Sequence, residues 1–389
     1  MAKYKLGDIV TLLNGRAYLM PELQDSGKYR ILRVGNLSGG NDSWYYSDME
    51  LDENKYCENG DLLYAWACNF GPHIWREEKV IYHYHIWKLV ENKEKVDRTY
   101  LYYYLLHQTP FYLGGVNGAT MVHITKKNME KKTVYIPSSL NVQHRIASIL
   151  STYDTLIENN AKRIRLLEKM AENLYKEWFV RFRFPGHENV EMENGLPKGW
   201  KMTNLFDVAD VTYGFAFKSN KFCDNAELNP VVRIRDIQEN HTNTYTDEQC
   251  EDKYLIGKNA ILIGMDGIFH MCLWNGERAY MNQRVVMLNS KEKGVCNYLL
   301  YLAIRPQIKY WEQVISGTTV AHLGDKHLRK VKVLLPEKAI LEKANSIISR
   351  AMDEKNILQH QNSLLARQRD LLLPRLMSGK LEVKEELLE

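Results

Sequence analysis

Two stretches of the chain concentrate the residue types that grip a polyanion. Lys126, Lys127, Lys131 and Lys132 form one; Lys326, Arg329, Lys330 and Lys332 form the other. Cationic side chains at this density can neutralise phosphates along a nucleic-acid backbone, which supplies affinity but no sequence information. A solvated charged face would explain either stretch alone, and the presence of a cluster in each half of the chain tips the reading toward phosphate. A second set has the chemistry to read base edges, where Arg forks onto guanine and Asn or Gln onto adenine. In the second half these are Arg233, Arg235, Asp236 and the run Asn282-Gln283-Arg284; in the first they are Arg33, Asn36, Asn69, His73 and His83. Taken singly, each is better explained as a structural hydrogen-bonder, and Arg33 and Arg233 sit on strand-like runs that could satisfy them internally. The set carries more than its members.

Catalytic patterns are missing around these residues. There is no Gly-x-x-x-x-Gly-Lys-Ser/Thr phosphate loop, no Gly-x-Gly-x-x-Gly, no Gly-x-Ser-x-Gly elbow and no His-Glu-x-x-His. Asn229-Pro230 continues as Val-Val rather than as the Pro-Tyr or Pro-Phe of an amino-methyltransferase, and no acidic nuclease cluster stands out. The six cysteines include no Cys-x-x-Cys pair, so they read as reduced thiols, mostly buried or half-buried, and no metal site is expected. His123 and His322 align across the two halves and read as loop hydrogen-bonders rather than as metal ligands or catalytic groups. A binder is favoured over an enzyme.

What positions these residues is a sequence written twice. Gly118-Ala-Thr-Met-Val-His-Ile-Thr-Lys-Lys runs on to Ile136-Pro137, and Gly317-Thr-Thr-Val-Ala-His-Leu-Gly-Asp-Lys runs on to Leu335-Pro336, each pair of anchors lying 199 residues apart. The same spacing pairs Leu6 and Asp8 with Leu205 and Asp207, and Trp75 with Trp274, while Ile31–Leu37 matches Val231–Ile237 one residue further on. The first part of each copy alternates β-like runs (Tyr29–Val34, Val80–Leu89, Val231–Ile234, Ala260–Ile263) with Gly, Asn and Asp turns. One helix is expected in each, near Thr99–His107 and Cys296–Tyr310, giving an α+β domain. Trp75 and Trp274 should pack in equivalent cores, and Tyr100–Tyr104 should form a helix with one buried face.

The second part of each copy is helical. Apolar residues recur at helical spacing from about Val142 to Phe179 and from about Ala339 to Met377, with no glycine in either run and no proline before Pro374. Helices of this length span roughly 55 Å, which suits a coiled-coil strut better than a small core. Asn160 falls at a core position whose aligned residue is Leu358; it either fixes register or lies at a frayed edge. Trp178, Phe179, Phe182, Leu372 and Leu376 are candidates for partner docking, with core capping at the helix ends as the alternative. The division expected is 1–139, first recognition domain; 140–184, first long helix; 185–199, linker; 200–337, second domain; 338–380, second long helix; 381–389, tail.

No stretch of about eighteen apolar residues occurs and the start, MAKYKLGDIV, has no secretory pattern, so a cytoplasmic location is expected. The net charge of +4 is compatible with nucleic acid without arguing for it.

These anchors resemble those of type I restriction-modification specificity subunits over essentially the whole chain. The residues that carry the resemblance are Gly195-Leu-Pro-Lys-Gly-Trp200, Ser316-Gly-Thr-Thr-Val-Ala-His-Leu323 and Val331–Pro336 in the second copy. The first copy contributes Gly118–Ile124, Val134–Pro137 and Gln143-His-Arg-Ile-Ala-Ser-Ile-Leu150, and Leu371–Leu381 closes the chain. The first copy departs in lacking a Leu-Pro-x-Gly-Trp opening, and the second helix has Ala339 and Lys343 where the first has Val142 and Arg145-Ile146. The resemblance implies two mixed α/β target-recognition domains, related by a pseudo-twofold axis and separated by two long antiparallel coiled-coil helices. Each domain would read one half of a split, asymmetric site in double-stranded DNA, with the helices as a ruler. It further implies no catalytic residues and no cofactor in this chain. Two methyltransferase subunits would bring S-adenosylmethionine, and restriction-translocase subunits ATP and Mg. The competing readings are a protein-binding scaffold, an orphan DNA binder and a complete enzyme such as a fused nuclease-methyltransferase fragment or a nicking enzyme.

Overall fold

Short apolar runs punctuated by glycine and asparagine turns become short strands in the computed structural model, which describes residues 1–37, 43–68, 70–113, 124–292, 294–315 and 321–383. The first copy begins with β1 (Ala2–Lys5), β2 (Val10–Asn14), β3 (Tyr29–Leu32), the helical turn α1 (Val34–Leu37) and β4 (Tyr45–Ser47). It continues with β5 (Tyr56–Cys57), β6 (Leu62–Ala65), β7 (Gly71–Ile74), β8 (Val80–Tyr82) and β9 (Ile86–Glu91). Helices α2 (Arg98–Leu113) and α3 (Lys126–Glu130) and strand β10 (Thr133–Ile136) lead into the long α4 (Leu140–Tyr175).

A hairpin of β11 (Met192–Glu193) and β12 (Leu196–Pro197) precedes the second copy. Its elements are β13 (Lys201–Asn204), α5 (Leu205–Val208), β14 (Ala209–Tyr213), β15 (Asn229–Val232), β16 (Tyr245–Thr246) and β17 (Ile261–Gly264). Then come β18 (Met271–Leu273), β19 (Tyr280–Met281), β20 (Val285–Ser290), α6 (Asn297–Ile315), α7 (Asp325–Leu328), β21 (Lys332–Leu335) and the long α8 (Lys338–Met377).

The repeat is preserved in the order and register of two of the three sheets of each copy. The order β2-β9-β6-β7 in the first copy recurs as β14-β20-β17-β18 in the second, and the pair β1-β10 recurs as β13-β21. Register follows the sequence spacing: Ala2 faces Ile136 and Lys201 faces Leu335, while Ile31 faces Ile81 and Val231 faces Tyr280. The third sheet has four strands, β4-β3-β8-β5, in the first copy and three, β16-β15-β19, in the second, where a single bridge from Leu255 to Tyr280 stands in for β5.

The chain divides into two units, and the division is not the contiguous one expected from the sequence. Unit 1 joins Met1–Asn159 to Asn362–Glu389, and unit 2 is Asn160–Gln361. Each unit therefore holds one α+β domain, the beginning of the long helix that follows it and the end of the other long helix. In unit 1 the helices run antiparallel: Asn362 donates to the Ile157 carbonyl at 3.2 Å, and Arg369 pairs with Asp154. In unit 2 Lys355 pairs with Glu168 at 2.6 Å, and Arg163 with Glu354. Asn160 is half-buried and its counterpart Leu358 is buried.

Burial of aliphatic and aromatic side chains, each contributing about 1.5–3 kcal/mol, assembles the cores. In unit 1, Leu12, Leu62, Tyr64, Trp87 and Leu89 of the sheet pack with Tyr100, Leu101, Tyr104 and Leu105 of α2, and Leu373, Leu376 and Met377 of α8 close the cluster. Trp75 and Trp274 are both buried, and each indole N–H donates to a carbonyl three residues on, Glu78 and Glu277, at 2.8 Å. Both domain helices run further than expected, α2 through Pro110 to Leu113 and α6, which contains Pro306, to Ile315. At the first proline the Thr109 hydroxyl donates to the Leu105 carbonyl at 2.7 Å within the same turn.

The first long helix ends sooner than expected. Its last turn, Lys176–Val180, is π-helical, and Phe182 takes a left-handed conformation (φ 57°) that stops it. The segment expected as a plain linker is anchored: Phe184 stacks on Trp200 with ring centroids 4.9 Å apart, and both are buried in unit 2. All six cysteines are free thiols, and Cys68 and Cys223 are exposed rather than buried. No helix among the described residues is long and apolar enough to cross a membrane.

Candidate nucleic-acid interface

The run Val80–Leu89, which reads as one strand, is broken by a turn at His83-Tyr84-His85 between β8 and β9. The repeat spacing places Asn282-Gln283-Arg284, between β19 and β20, at the same three positions. The two turns share one backbone frame. His83 N–H donates to the Leu32 carbonyl at 2.9 Å, and Asn282 N–H to the Val232 carbonyl at 3.0 Å. The His83 carbonyl accepts from Ile86 and the Asn282 carbonyl from Val285; the His85 carbonyl accepts from Trp66 and the Arg284 carbonyl from Met265. Gly15 and Gly214 press against these turns so closely that a Cβ would lie 2.3 Å from the His83 carbonyl oxygen and 2.0 Å from that of Asn282. A side chain at either glycine would displace the turn.

The side chains on that frame differ. In unit 1 they are aromatic. His83 stacks with Tyr18 (centroids 6.4 Å) and lies 4.8 Å from the His85 ring, and the Trp66 ring is edge-on to Tyr84 at 5.9 Å and to His85 at 5.0 Å. Burial, with the nearby His85 and Arg33, lowers the His83 pKa to about 4, so the ring is neutral at physiological pH and offers one donor and one acceptor. Arg33 follows β3, and its guanidinium covers the Tyr45 ring at 4.4 Å.

In unit 2 the turn is polar. Gln283 and Arg284 are exposed. Arg284 Nε lies 3.3 Å from Asp266 Oδ2, and the other oxygen of Asp266 accepts from His322 Nδ1 at 2.7 Å. His322 thus has a carboxylate beside it, supplied by a distant loop that sequence proximity cannot reveal. Beyond it, α7 and the turn that follows it present the exposed Lys326, Arg329 and Lys330. Arg329 pairs with Asp325, which also accepts from the Tyr213 hydroxyl at 2.8 Å, and Lys330 sits over the Trp311 ring at 5.6 Å. Partial burial and the charges of Lys326 and Lys330 lower the His327 pKa. In unit 1 Lys127 is exposed on α3, and Lys126 lies 3.7 Å from Glu130.

Several expected base readers are occupied elsewhere. Asp236 is buried and accepts from the Arg233 N–H at 2.8 Å and the Thr242 hydroxyl at 3.1 Å, so it caps a turn. Asn36 does the same in unit 1, accepting from the Arg33 N–H at 3.1 Å and donating to the Ser43 carbonyl at 3.0 Å. Asn282 spends its side-chain oxygen on the Gln283 N–H at 2.8 Å. His73 lies on the edge strand β7, mostly buried, with its pKa lowered by that burial. Its counterpart Cys272 lines a cleft walled by α4, α6 and α8, away from the turn. Arg235 remains exposed, touching Thr244 at 3.2 Å and Asp236 at 3.6 Å, and Arg233 covers the Phe222 ring at 5.4 Å. Asn69 lies outside the described residues, as does His123.

The docking candidates are corrected as well. Phe179 and Leu376 are buried in the cores of units 2 and 1, and Trp178, Phe182 and Leu372 pack against those cores. Their place at helix ends, where an α+β domain closes over the helix, buries Phe179 and Leu376 and half-buries the other three. Outward apolar residues do occur on the long helices, among them Ile149, Leu156, Leu166 and Met170 on α4 and Ile357, Leu364 and Leu371 on α8. Sequence reasoning missed Trp66, Tyr84, His85 and Asp266. The repeat spacing pairs Tyr84 and His85 with Gln283 and Arg284, whereas nothing in the sequence connects Asp266 to Arg284.

Among the described residues, no group of three or more His, Cys, Asp or Glu is arranged to hold a metal ion. Duplicated α+β domains with a common frame, a variable exposed turn and basic flanks define a class of internally repeated proteins with two equivalent candidate binding surfaces. The family model for the type I restriction modification DNA specificity domain matches twice, over residues 1–169 and 197–365, and the chain belongs to that family. It is 25% identical to the MjaVIII specificity subunit of Methanocaldococcus jannaschii, a type I restriction enzyme subunit, over 98% of this chain and 92% of that one. It is 27% identical to the MjaIX specificity subunit of the same organism, over 75% of this chain and 71% of the relative. A crystal structure of a type I restriction-modification S subunit from M. genitalium has the same fold, with a TM-score of 0.63 at 16% identity over 96% of this chain and 95% of that one.

Proposed function

We propose that the two recognition domains each read one half of a split, asymmetric site in double-stranded DNA. The observation that carries this reading is the pair of equivalent turns: one backbone frame, two unrelated sets of side chains. A shared frame brings each turn to DNA in the same way, and divergent side chains select different bases, so the two half-sites differ. Lys126 and Lys127 in unit 1 and Lys326, Arg329 and Lys330 in unit 2 supply phosphate contacts that hold the domains on the duplex. The long helices set the spacing between half-sites and dock two methyltransferase subunits, through outward residues such as Leu166 and Met170 rather than the buried Phe179 and Leu376.

The chain itself performs no chemistry and holds no cofactor. S-adenosylmethionine belongs to the methyltransferase subunits, and ATP with Mg to restriction-translocase subunits. Their assembly on this chain in the cytoplasm would form the complete enzyme. The test is co-expression with the methyltransferase gene expected beside it, followed by native mass measurement and mapping of methylated DNA. A complex of two methyltransferase subunits per chain that modifies a split, asymmetric motif is the expected result. A complex that forms without any motif would leave a protein scaffold, and no complex at all would leave an orphan DNA binder.

A further inference from the structure

We propose that the turn between β19 and β20 reads a guanine through Arg284, that Asp266 is the residue that positions its guanidinium, and that the equivalent turn of unit 1 reads without a cation. This rests on the reading above that each domain contacts one half-site.

Three observations converge on Arg284. Its side chain is 53% exposed on a turn that hydrogen bonds and the close approach of Gly214 hold in place, so its base is fixed while its tip reaches outward. The closest approach of Asp266 to the guanidinium is at Nε, 3.3 Å, rather than at either of the two terminal nitrogens. Those nitrogens are the fork that matches O6 and N7 of guanine in the major groove. Asp266 is itself fixed from the other side, by His322 Nδ1 at 2.7 Å and by a backbone bridge between the two residues. Buttressing limits the rotamers Arg284 explores, so less side-chain entropy is lost when the fork closes on a base.

Unit 1 lacks both members of this ion pair. His85 stands at the position of Arg284, Ala67 at that of Asp266, and Tyr84 at that of Gln283. In their place the turn presents Tyr84, 39% exposed, beside Trp66 and the His83 ring. Flat apolar faces with single hydrogen-bonding atoms suit a base pair carrying a thymine methyl group better than a guanine.

The experiment uses the full chain purified with its methyltransferase subunits and a randomised double-stranded DNA library, with bound duplexes sequenced after selection. Wild type should enrich a split motif with a guanine at one position of one half. R284Q should weaken the preference at that position by roughly 5- to 100-fold, and R284K, which keeps the charge but not the fork, should do the same. D266N should relax the same position and no other, a readout that mere loop stabilisation would not produce. Y84A should alter the opposite half-site only. R284Q and R284K complexes that select the wild-type motif, with unchanged circular dichroism, would overturn the assignment of Arg284 and leave the half-site reading intact. A D266N complex weakened equally at every position would overturn the positioning role. A wild-type complex that enriches no sequence would overturn the half-site reading itself, and this assignment with it.

Discussion

At neutral pH the His83 ring is uncharged, and that state has a measurable consequence. Burial and its neighbours lower its pKa from the usual 6.5 to about 4. Above pH 6.5 the ring is neutral folded or unfolded, so it adds no pH dependence. Between pH 6.5 and about 4 the unfolded chain takes up a proton that the folded turn refuses, so stability falls as pH drops through that window. H83N, which places the unit 2 residue on the same frame, should show a smaller fall in melting temperature between pH 7 and pH 4.5 than wild type; an identical fall would mean that His83 is not the titrating group. Residue types alone do not separate such roles. Asn36 and Asp236 have the donors and acceptors of a base reader, yet each caps the backbone of Arg33 or Arg233, because the chemistry that fits a base edge also fits an unsatisfied N–H. Tyr84 and His85 were within reach of the repeat spacing; Asp266 was not, because its link to Arg284 exists only once two loops meet.

Among the elements, the long helices were the most legible in sequence. Apolar spacing and the absence of glycine mark both from end to end, and their antiparallel pairing follows from the duplication. Their ends were less so: α4 gives way at Lys176 to a π turn that buries Phe179, and no proline or glycine announces it. The strands were visible as runs but not as breaks, since Val80–Leu89 keeps its apolar character across the turn that matters most. If the helices act as a ruler, a four-residue insertion after Asn159 in α4, matched by one after Gln361 in α8, lengthens the pair by about 6 Å. The spacing between half-sites in the methylated motif should then change by about one to two base pairs. Sequencing the modified sites checks this, and an unchanged spacing would remove the helices from that role.

For the whole chain, the decisive feature is that unit 1 is assembled from both ends of the sequence. Leu373, Leu376 and Met377 belong to α8 and yet lie in the core around Tyr100 and Leu150. L376A, at a side chain only 1% exposed, should therefore destabilise the N-terminal recognition domain by about 2–5 kcal/mol. Hydrogen exchange should show faster opening in β2, β6 and β9 with little change in β14, β17 and β20; the reverse pattern would contradict this partition. The duplication is visible in sequence, but this exchange of helix ends is not, because apolar spacing does not name the partner of a stripe.

The same exchange imposes an order on synthesis. When Asn159 leaves the ribosome the N-terminal domain has all its strands but lacks the helical segment that seals it, and some two hundred residues must be translated before that segment begins. At 5–20 residues per second this is a wait of roughly 10–40 s. Throughout it the apolar patch awaiting Leu373, Leu376 and Met377 faces solvent, so the domain that is translated first is the last to be finished and the one that nascent-chain chaperones would be expected to guard.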